Sequence, residues 1–328
     1  MRKSLIILAL NMVLAAVVLN AAEISKEEFN RLRDVEKTLR SQISEMETQL
    51  KPSASLKNYT KEYQAAVPKA SPQPLTDAEM AKILAGARYV LLGDEHTTAR
   101  SQANTVLVLN MMRAAKEPLT LVIEWVDISF QKEIDAFLAG KLTLDALQGK
   151  ISFAKLWGFS WKDYARILAA AKRLKVQVLL TERLKSTHSL ADRDTFITTT
   201  IAAHSKTCPG MRYLVVYGDY HILGAGHLAD KMAKAGFKPQ LRLIGDAGEV
   251  YWKLLGKVKD PEKIGFAGLG SDIYYILNGT PAERSLSYRN YLMKLLGYGK
   301  DDFEELLGPA DIKPRQDVSR SFDSLHRD

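Results

Sequence analysis

Short apolar runs and helical patterns alternate along most of the chain, as is typical of an α/β protein. Six runs rich in Val, Ile, Leu and Tyr are each short enough for a buried strand. They lie at residues 88–92, 119–123, 176–180, 212–217, 240–244 and 274–277. Between them, apolar residues recur three or four positions apart, as in a helix with one buried face. The pattern predicts a three-layer α/β fold, with helices on both faces of a mostly parallel sheet.

One connection between predicted strands is much longer than the others. Residues 127–175 separate the second and third strands and contain several stretches of helical periodicity. We therefore predict a helical cap that is inserted into an α/β domain spanning residues 76–308. Residues 309–328 show no such pattern and are expected to form a flexible tail.

The chain before residue 76 changes composition twice. Residues 1–22 combine a basic start with an apolar run and small residues, so they predict a signal peptide, with an uncleaved membrane anchor as the alternative. Residues 23–50 predict an amphipathic helix that either packs on the domain or joins two copies into a homodimer. Residues 51–75 contain four prolines and predict a linker or a segment that follows the surface. The protein is expected to be periplasmic or secreted.

Composition narrows the range of partners. The 328 residues include 46 Lys and Arg and 38 Asp and Glu, which gives a formal net charge of +8. The basic residues are interspersed with acids, and no basic run contains aromatic residues, so nucleic-acid binding is not expected. A single cysteine, Cys208, excludes an internal disulfide and a thiolate-rich metal site.

Ionisable residues follow the predicted strands at their carboxyl ends, where open α/β sheets build their sites. Asp94, Glu95, His96 and His221 are the residues expected to hold a divalent ion such as zinc, manganese or iron. Glu124 is a candidate general base, a metal ligand or one half of a buried salt bridge with Arg183 or Arg100. These side chains are expected to meet in one pocket because parallel strands share one carboxyl edge.

Several other residues near the strand ends are expected to have structural rather than catalytic or metal-binding roles. Gly93 and Gly218 are expected to permit sharp turns at their strand ends. Glu182 and Arg183 could pair with each other, and Asp219 and Asp246 could cap the helices that follow them. The histidine of a third Gly-x-x-His motif, His227, is expected to lie on the surface or to pack a helix.

Aromatic residues are concentrated within the predicted cap, between residues 153 and 161. They include Trp157 and Trp161, and they form either the core of the cap or the wall of an apolar ligand pocket.

Four stretches of sequence together resemble the ChaN-like haem-binding uptake proteins, which are grouped with the Tiki and TraB proteins and the erythromycin esterases. The stretches are residues 89–96 (YVLLGDEH), residues 122–125 (VIEW), residues 157–164 (WGFSWKDY) and residues 215–221 (VVYGDYH). Asp94 stands where the family commonly has Glu. The resemblance implies a bacterial envelope protein with haem ligated by tyrosine, and Tyr164 and Tyr220 lie in matching stretches.

Two functions follow from the resemblance and the residues together. The first is haem or iron binding linked to uptake, with Trp157, Trp161, Tyr164 and Tyr220 around the ligand. The second is Tiki-like hydrolysis by a divalent ion held by His and carboxylate ligands, with a spare carboxylate taking the proton. The expected cofactor is therefore haem or a divalent metal ion, and the expected partner is haem or another small molecule.

Overall fold

The computed structural model describes residues 26–186, 188–245, 247–255, 265–277 and 279–298. The predicted signal peptide, the predicted tail and Asp246 lie outside these ranges. The strands are β1 (Gln73–Leu75), β2 (Tyr89–Asp94), β3 (Leu119–Asp127), β4 (Gln177–Glu182), β5 (Arg212–Gly218), β6 (Leu241–Ile244), β7 (Phe266–Gly268) and β8 (Ile273–Ile276).

Twelve α-helices of the described ranges surround this sheet. They are α1 (Lys26–Leu50), α2 (Ala54–Ala66), α3 (Asp77–Ala85), α4 (Ala99–Arg113), α5 (Gln131–Leu138), α6 (Leu144–Lys150), α7 (Phe153–Leu156), α8 (Trp161–Leu174), α9 (Leu190–Thr207), α10 (Leu228–Lys234), α11 (Gly248–Leu255) and α12 (Pro281–Leu295). Single 3₁₀ turns follow β3 and β5.

The eight strands form one sheet in the order β1-β7-β8-β6-β2-β5-β3-β4. The six strands from β8 to β4 are parallel, and β7 pairs antiparallel with both β8 and β1. The central strands β2, β3 and β5 are buried along their whole length, which explains why they are continuous apolar runs in the sequence. The predicted three-layer, mostly parallel α/β fold is confirmed.

Separate apolar clusters cover the two faces of the sheet. One contains residues of α3 to α8, with Met80, Val108, Ile134 and Leu168 fully buried. The other contains residues of α9, α10 and α11 together with Tyr63 of α2. The connection between β3 and β4 contains helices α5 to α8, and the last of them, α8, packs beside α4 as part of the sheet's covering layer.

A third apolar cluster joins α1, α2 and α12. The apolar seam predicted for residues 23–50 is buried within the same chain, since Met46 and Leu50 pack with Leu292 and Met293 of α12. Packing on the domain is therefore the alternative that the structure shows for α1. Helices α1 and α12 extend over the carboxyl edge of the sheet and contribute residues to a cavity there.

Residues 51–75 differ from the linker that their prolines predict. They contain helix α2, which begins after the N-cap Ser53 and buries Tyr59 and Tyr63, and they end in strand β1. Pro52 and Pro68 lie just outside α2, where proline marks the ends of a helix rather than interrupting it.

Candidate active site

A cavity of about 300 Å³ lies at the carboxyl ends of the central strands. Its floor is formed by residues that follow or end β2, β3 and β5, and its walls include residues of α1 and α12. His96, Glu124, Arg193 and His221 all line this central cavity. The structure thus brings together side chains that are far apart in the sequence, as the strand order predicts.

The two histidines face the same carboxylate from different loops. The Nε2 atom of His96 lies 3.8 Å from one oxygen of Glu124, and the Nε2 atom of His221 lies 3.9 Å from the other. Glu124 reaches this position near the end of β3, where the pairing with β4 shifts register between Ile123 and Asp127. Such irregularities re-aim side chains beside functional sites.

A buried aspartate holds the opposite ring nitrogen of each histidine. Asp94 Oδ2 lies 2.9 Å from His96 Nδ1, and Asp194 Oδ1 lies 2.5 Å from His221 Nδ1. A carboxylate can only accept, so each Nδ1 carries the hydrogen and each Nε2 is the atom presented to the cavity. The two pairs fix both the tautomer and the orientation of the imidazole rings.

Further hydrogen bonds hold the two aspartates in place. Asp94 accepts from the Ser101 hydroxyl, the Gln102 amide and the Tyr164 hydroxyl at 2.7 to 2.9 Å. Asp194 also accepts from the Tyr59 hydroxyl of α2 at 3.2 Å. Both carboxylates therefore have their hydrogen-bonding capacity largely satisfied inside the protein, which suits a positioning role.

Arg193 of α9 balances the carboxylates at the floor of the cavity. Its guanidinium lies 2.6 Å from Glu124 and 2.9 Å from Glu182, and all three side chains are buried. The salt bridge predicted as one alternative for Glu124 is thus present, but its partner is Arg193 rather than Arg183 or Arg100. Arg183 instead lies over the ring of Phe196, 4.1 Å from its centroid, and Glu182 pairs with Arg193.

Charge sets the protonation states at this floor. Burial alone would raise the pKa of Glu124, but His96, Arg193, His221 and the Gly218 amide lower it to about 2. Burial likewise opposes charging of His96, yet its hydrogen bond to Asp94 and the charge of Glu124 raise its pKa above the usual 6.5. A carboxylate with so low a pKa is a poor general base near neutral pH, so the imidazoles are better suited to proton transfer.

The remaining residues predicted for the site have other surroundings. Glu95 lines the cavity, and its Oε2 lies 3.9 Å from Arg284 Nε rather than beside the histidines. Tyr220 lines the cavity and packs edge-on against Tyr63. His227 is fully buried, with Nδ1 2.7 Å from the Tyr220 carbonyl oxygen, so it is a packing residue and not a surface one.

Three of the predicted ligand-pocket residues do not line the central cavity. Tyr164 is fully buried and its hydroxyl donates to Asp94, while Trp157 packs edge-on against His96 with ring centroids 4.7 Å apart. Trp161 is partly buried and packs edge-on against Phe153 at the border of the core. Trp157 and Tyr164 thus lie behind the site and contact His96, with their apolar area buried in the core.

Gly93 and Gly218 are needed for close approach rather than for sharp turns. Neither has a positive φ. A Cβ atom on Gly93 would lie 1.7 Å from Asp219 Oδ1, and one on Gly218 would lie 3.2 Å from His96 Nε2. Side chains from neighbouring loops thus occupy the space above both glycines.

We expect Gly93→Ala to lower the free energy of unfolding by about 1–3 kcal/mol, as overpacking typically does. Asp219 would have to move, although its carboxylate accepts from the Gly245 amide at 3.0 Å. Urea denaturation measures the change. Gly149→Ala in α6 is the control because nothing lies within 4 Å of its added methyl group. Equal stability of the two variants would contradict this reading.

The arrangement of the described residues gives no support for a divalent-ion site. They contain no group of three or more His, Cys, Asp and Glu side chains arranged to hold a metal. Both Glu124 oxygens already have partners, since one pairs with Arg193 and the other accepts from the Gly218 amide at 2.7 Å. The metal centre predicted for Asp94, Glu95, His96 and His221 is therefore unsupported.

Haem does not fit between the two histidines either. Their Nε2 atoms face one carboxylate at less than 4 Å, which leaves no room for a macrocycle between them. The cavity also lies at the small end of the roughly 300–1,000 Å³ that ligand pockets span.

No helix in the described part of the chain has the length and apolar character needed to cross a bilayer.

Comparison with known proteins agrees with the family resemblance. Residues 80–187, from α3 to just beyond β4, match the model of a family described as haem-binding uptake, Tiki superfamily, ChaN. The resemblance predicted from the sequence motifs is thereby confirmed. No curated protein matches the chain significantly.

Three solved structures share a general likeness with the chain. ChaN of Campylobacter jejuni, described with cofacial haem binding, is 14% identical with a TM-score of 0.41, over 61% of this chain and 91% of that chain. The type III effector HopBA1 is 13% identical with a TM-score of 0.42, over 55% and 87%. RRSP, a MARTX toxin effector domain from Vibrio vulnificus, is 13% identical with a TM-score of 0.38, over 67% and 46%. All three TM-scores are below 0.5, so these likenesses carry no argument about function.

Proposed function

Starting from a chain whose residues 80–187 match the haem-binding uptake family of the Tiki superfamily, we propose that the central cavity binds a small molecule and hydrolyses an ester or amide bond in it. The observation that carries the proposal is the pair of imidazole Nε2 atoms, which lie 3.8 and 3.9 Å from opposite oxygens of Glu124. Each imidazole has its Nδ1 held by a buried aspartate. Two imidazoles held in fixed orientations at one cavity can serve as a general acid and a general base.

The two imidazoles take different roles because the floor carries more acids than bases. Asp94, Glu124, Glu182 and Asp194 are buried there, and Arg193 pairs with only two of them, Glu124 and Glu182, which favours one protonated histidine. The raised pKa of His96 makes it the general acid. His221, oriented by Asp194, is then the general base.

The proposed reaction proceeds by attack of water on a carbonyl carbon. His221 Nε2 takes a proton from the water molecule while the water oxygen forms a bond to the carbonyl carbon. The bond from carbon to the leaving oxygen or nitrogen breaks, and the leaving atom takes the proton of His96 Nε2. Glu124 stays ionised throughout and stabilises the imidazolium, first on His96 and then on His221. Transfer of the proton from His221 back to His96 through solvent completes the cycle.

Hydrolysis of 4-nitrophenyl acetate tests the proposal. We expect turnover by the wild type that survives EDTA, because the chain supplies the acid and the base without a metal. We expect His221→Gln to lose about 10²–10⁴-fold in kcat. A matched control is His188→Gln, because the His188 side chain forms a hydrogen bond with Ser186 and does not line the cavity. Loss of activity on chelation would instead support a metal-dependent hydrolase, and absence of turnover with every ester tried would reject catalysis.

Haem binding is a second candidate function, and the family match is the observation that favours it. The wall of the central cavity carries Tyr220, Tyr288 and Tyr291, which belong to the residue type that the resemblance implies for ligation. Burial raises the pKa of the Tyr288 and Tyr291 phenols, which opposes their ligation of iron as tyrosinate. Tyr220 lies in a stretch that resembles the family, so it is the tyrosine to test. Haemin titration separates the candidates. A saturable Soret band weakened by Tyr220→Phe would support haem binding, and non-saturating absorbance would exclude it.

The bacterial envelope location is proposed on two grounds. The family described for residues 80–187 is one of uptake proteins, and residues 1–22 have the composition of a signal peptide. Expression of the full chain in a bacterium, followed by fractionation, tests the location. The mature protein is expected in the periplasm or the medium, and cytoplasmic protein of unaltered mass would contradict export.

A further inference from the structure

A second cavity of about 290 Å³ adjoins the central one on the far side of His96. Four residues line both cavities, namely His96, Thr97, Phe159 and Tyr291. Thr97 and Tyr291 therefore lie beside His96 whichever of the two cavities a ligand occupies.

Two hydroxyl groups at this boundary lack a hydrogen-bond partner among the described residues. Thr97 Oγ1 and Tyr291 OH are both shielded from solvent, and neither contacts a protein donor or acceptor at hydrogen-bonding distance. Buried hydroxyls of native proteins are nearly always paired, and an exception calls for an explanation such as a bound ligand. Both groups can donate a hydrogen bond.

The fold brings these two residues to the same boundary between the cavities. Ser287 of α12 donates from its hydroxyl to the Thr97 carbonyl oxygen at 2.6 Å, which ties the helix to the loop after β2. Tyr291 lies four residues after Ser287 and therefore on the same face of α12. Its ring stacks on Phe159 with centroids 5.0 Å apart, and Phe159 in turn lies 5.3 Å from the His96 ring.

We propose that the hydroxyls of Thr97 and Tyr291 donate hydrogen bonds to one oxygen of the bound substrate, beside the His96 imidazole. In the reaction proposed above, this oxygen is the carbonyl oxygen, which gains negative charge as water attacks and loses it as the leaving group departs. Preorganised donors at such an oxygen stabilise the transition state more than the ground state. The inference rests on the proposed hydrolysis and names carbonyl compounds as the substrate class.

Kinetics and stability together test this assignment. We expect Tyr291→Phe and Thr97→Val each to lower kcat for 4-nitrophenyl acetate by about 10²–10³-fold, with little change in KM. Neither variant should lower Tm, because the hydroxyl that it removes makes no hydrogen bond within the described part of the protein. Tyr274→Phe, which alters a tyrosine outside both cavities, is the control. A loss of Tm that parallels the loss of activity would overturn the assignment and indicate a structural role.

A binding measurement separates this inference from the proposed hydrolysis. Phenylphosphonate is the probe, because its tetrahedral anion resembles the state formed when water attacks a carbonyl. We expect calorimetry to show binding to the wild type and at least tenfold weaker binding to Tyr291→Phe. If esters are not hydrolysed but this difference is found, the donor pair stands and the reaction is wrong. If esters are hydrolysed while neither variant changes kcat or phosphonate affinity, the donor pair is wrong and the reaction stands.

Discussion

Replacing Arg193 by methionine is expected to lower the free energy of unfolding by about 3–5 kcal/mol, the range typical of breaking a buried ion pair from one side. Arg193 is buried and contacts two buried carboxylates, Glu124 at 2.6 Å and Glu182 at 2.9 Å. Methionine would fill much of the volume but would leave both acids without their cation. Urea denaturation at pH 7 measures the loss.

The fall of the unfolding free energy at acid pH gives a second measure of the effect of Arg193→Met. The pKa of Glu124 is about 2 in the folded protein and 4.5 ordinarily, so its stabilising contribution is present above pH 4.5 and lost as the pH falls towards 2. Without Arg193 the pKa of Glu124 in the folded protein rises, so the loss of stability in acid should begin at a higher pH. Adding Glu124→Gln to Arg193→Met should recover part of the stability because it removes one unpaired charge.

Arg166→Met is the matched control for Arg193→Met. Arg166 also pairs with an acid, Asp163, but at 3.6 Å and with about half of its side chain exposed. Exposed pairs contribute about 0–1 kcal/mol, so this variant should unfold almost like the wild type. Similar losses in the two variants, or no rescue in the double variant, would show that Arg193 does not stabilise the floor through its charge.

The sheet could be predicted from the sequence because its strands are buried on both faces. Such strands are continuous apolar runs, and all six that the pattern predicts are present. The strands that were missed, β1 and β7, have three residues each and lie at or near the edge, where so short a run carries no periodicity. Helix α2 was missed because prolines on either side of it suggested a linker.

The candidate site could be predicted only in the part that strands supply. His96, Glu124 and His221 stand at or just after strand ends, where topology alone predicts convergence. Arg193 and Asp194 lie in α9, among polar residues that are typical of a solvated helix surface, and nothing in the local sequence indicates that both are buried. The sequence therefore does not predict that Glu124 pairs with Arg193 rather than with a metal, because that pairing depends on how α9 packs against the floor of the cavity.

His96→Gln is expected to lower kcat/KM for an alkyl ester such as ethyl acetate by about 10²–10⁴-fold, as the loss of a general acid typically does when the leaving group is an alkoxide that needs a proton. The amide of glutamine can still donate to Asp94, but it cannot supply a proton to the leaving group. In the wild type, the raised pKa of His96 keeps it protonated beyond pH 6.5, so the rate should fall on the alkaline side only above that value. This alkaline limb should be missing from His96→Gln.

The same protonation also affects stability, and its sign follows from the direction of the shift. A raised pKa in the folded protein means that protonated His96 stabilises the fold fully below pH 6.5, and that this contribution disappears as the pH rises through the higher folded-state value. The difference in unfolding free energy between the wild type and His96→Gln should therefore be largest in mild acid and shrink towards alkaline pH. His188→Gln, the control, should keep both the wild-type rate limb and the wild-type stability profile. An alkaline limb that persists in His96→Gln would assign the acid to another group. A difference that grows with pH would mean that the buried imidazole is neutral in the folded protein, and a difference that does not change with pH would mean that folding does not raise the pKa of His96.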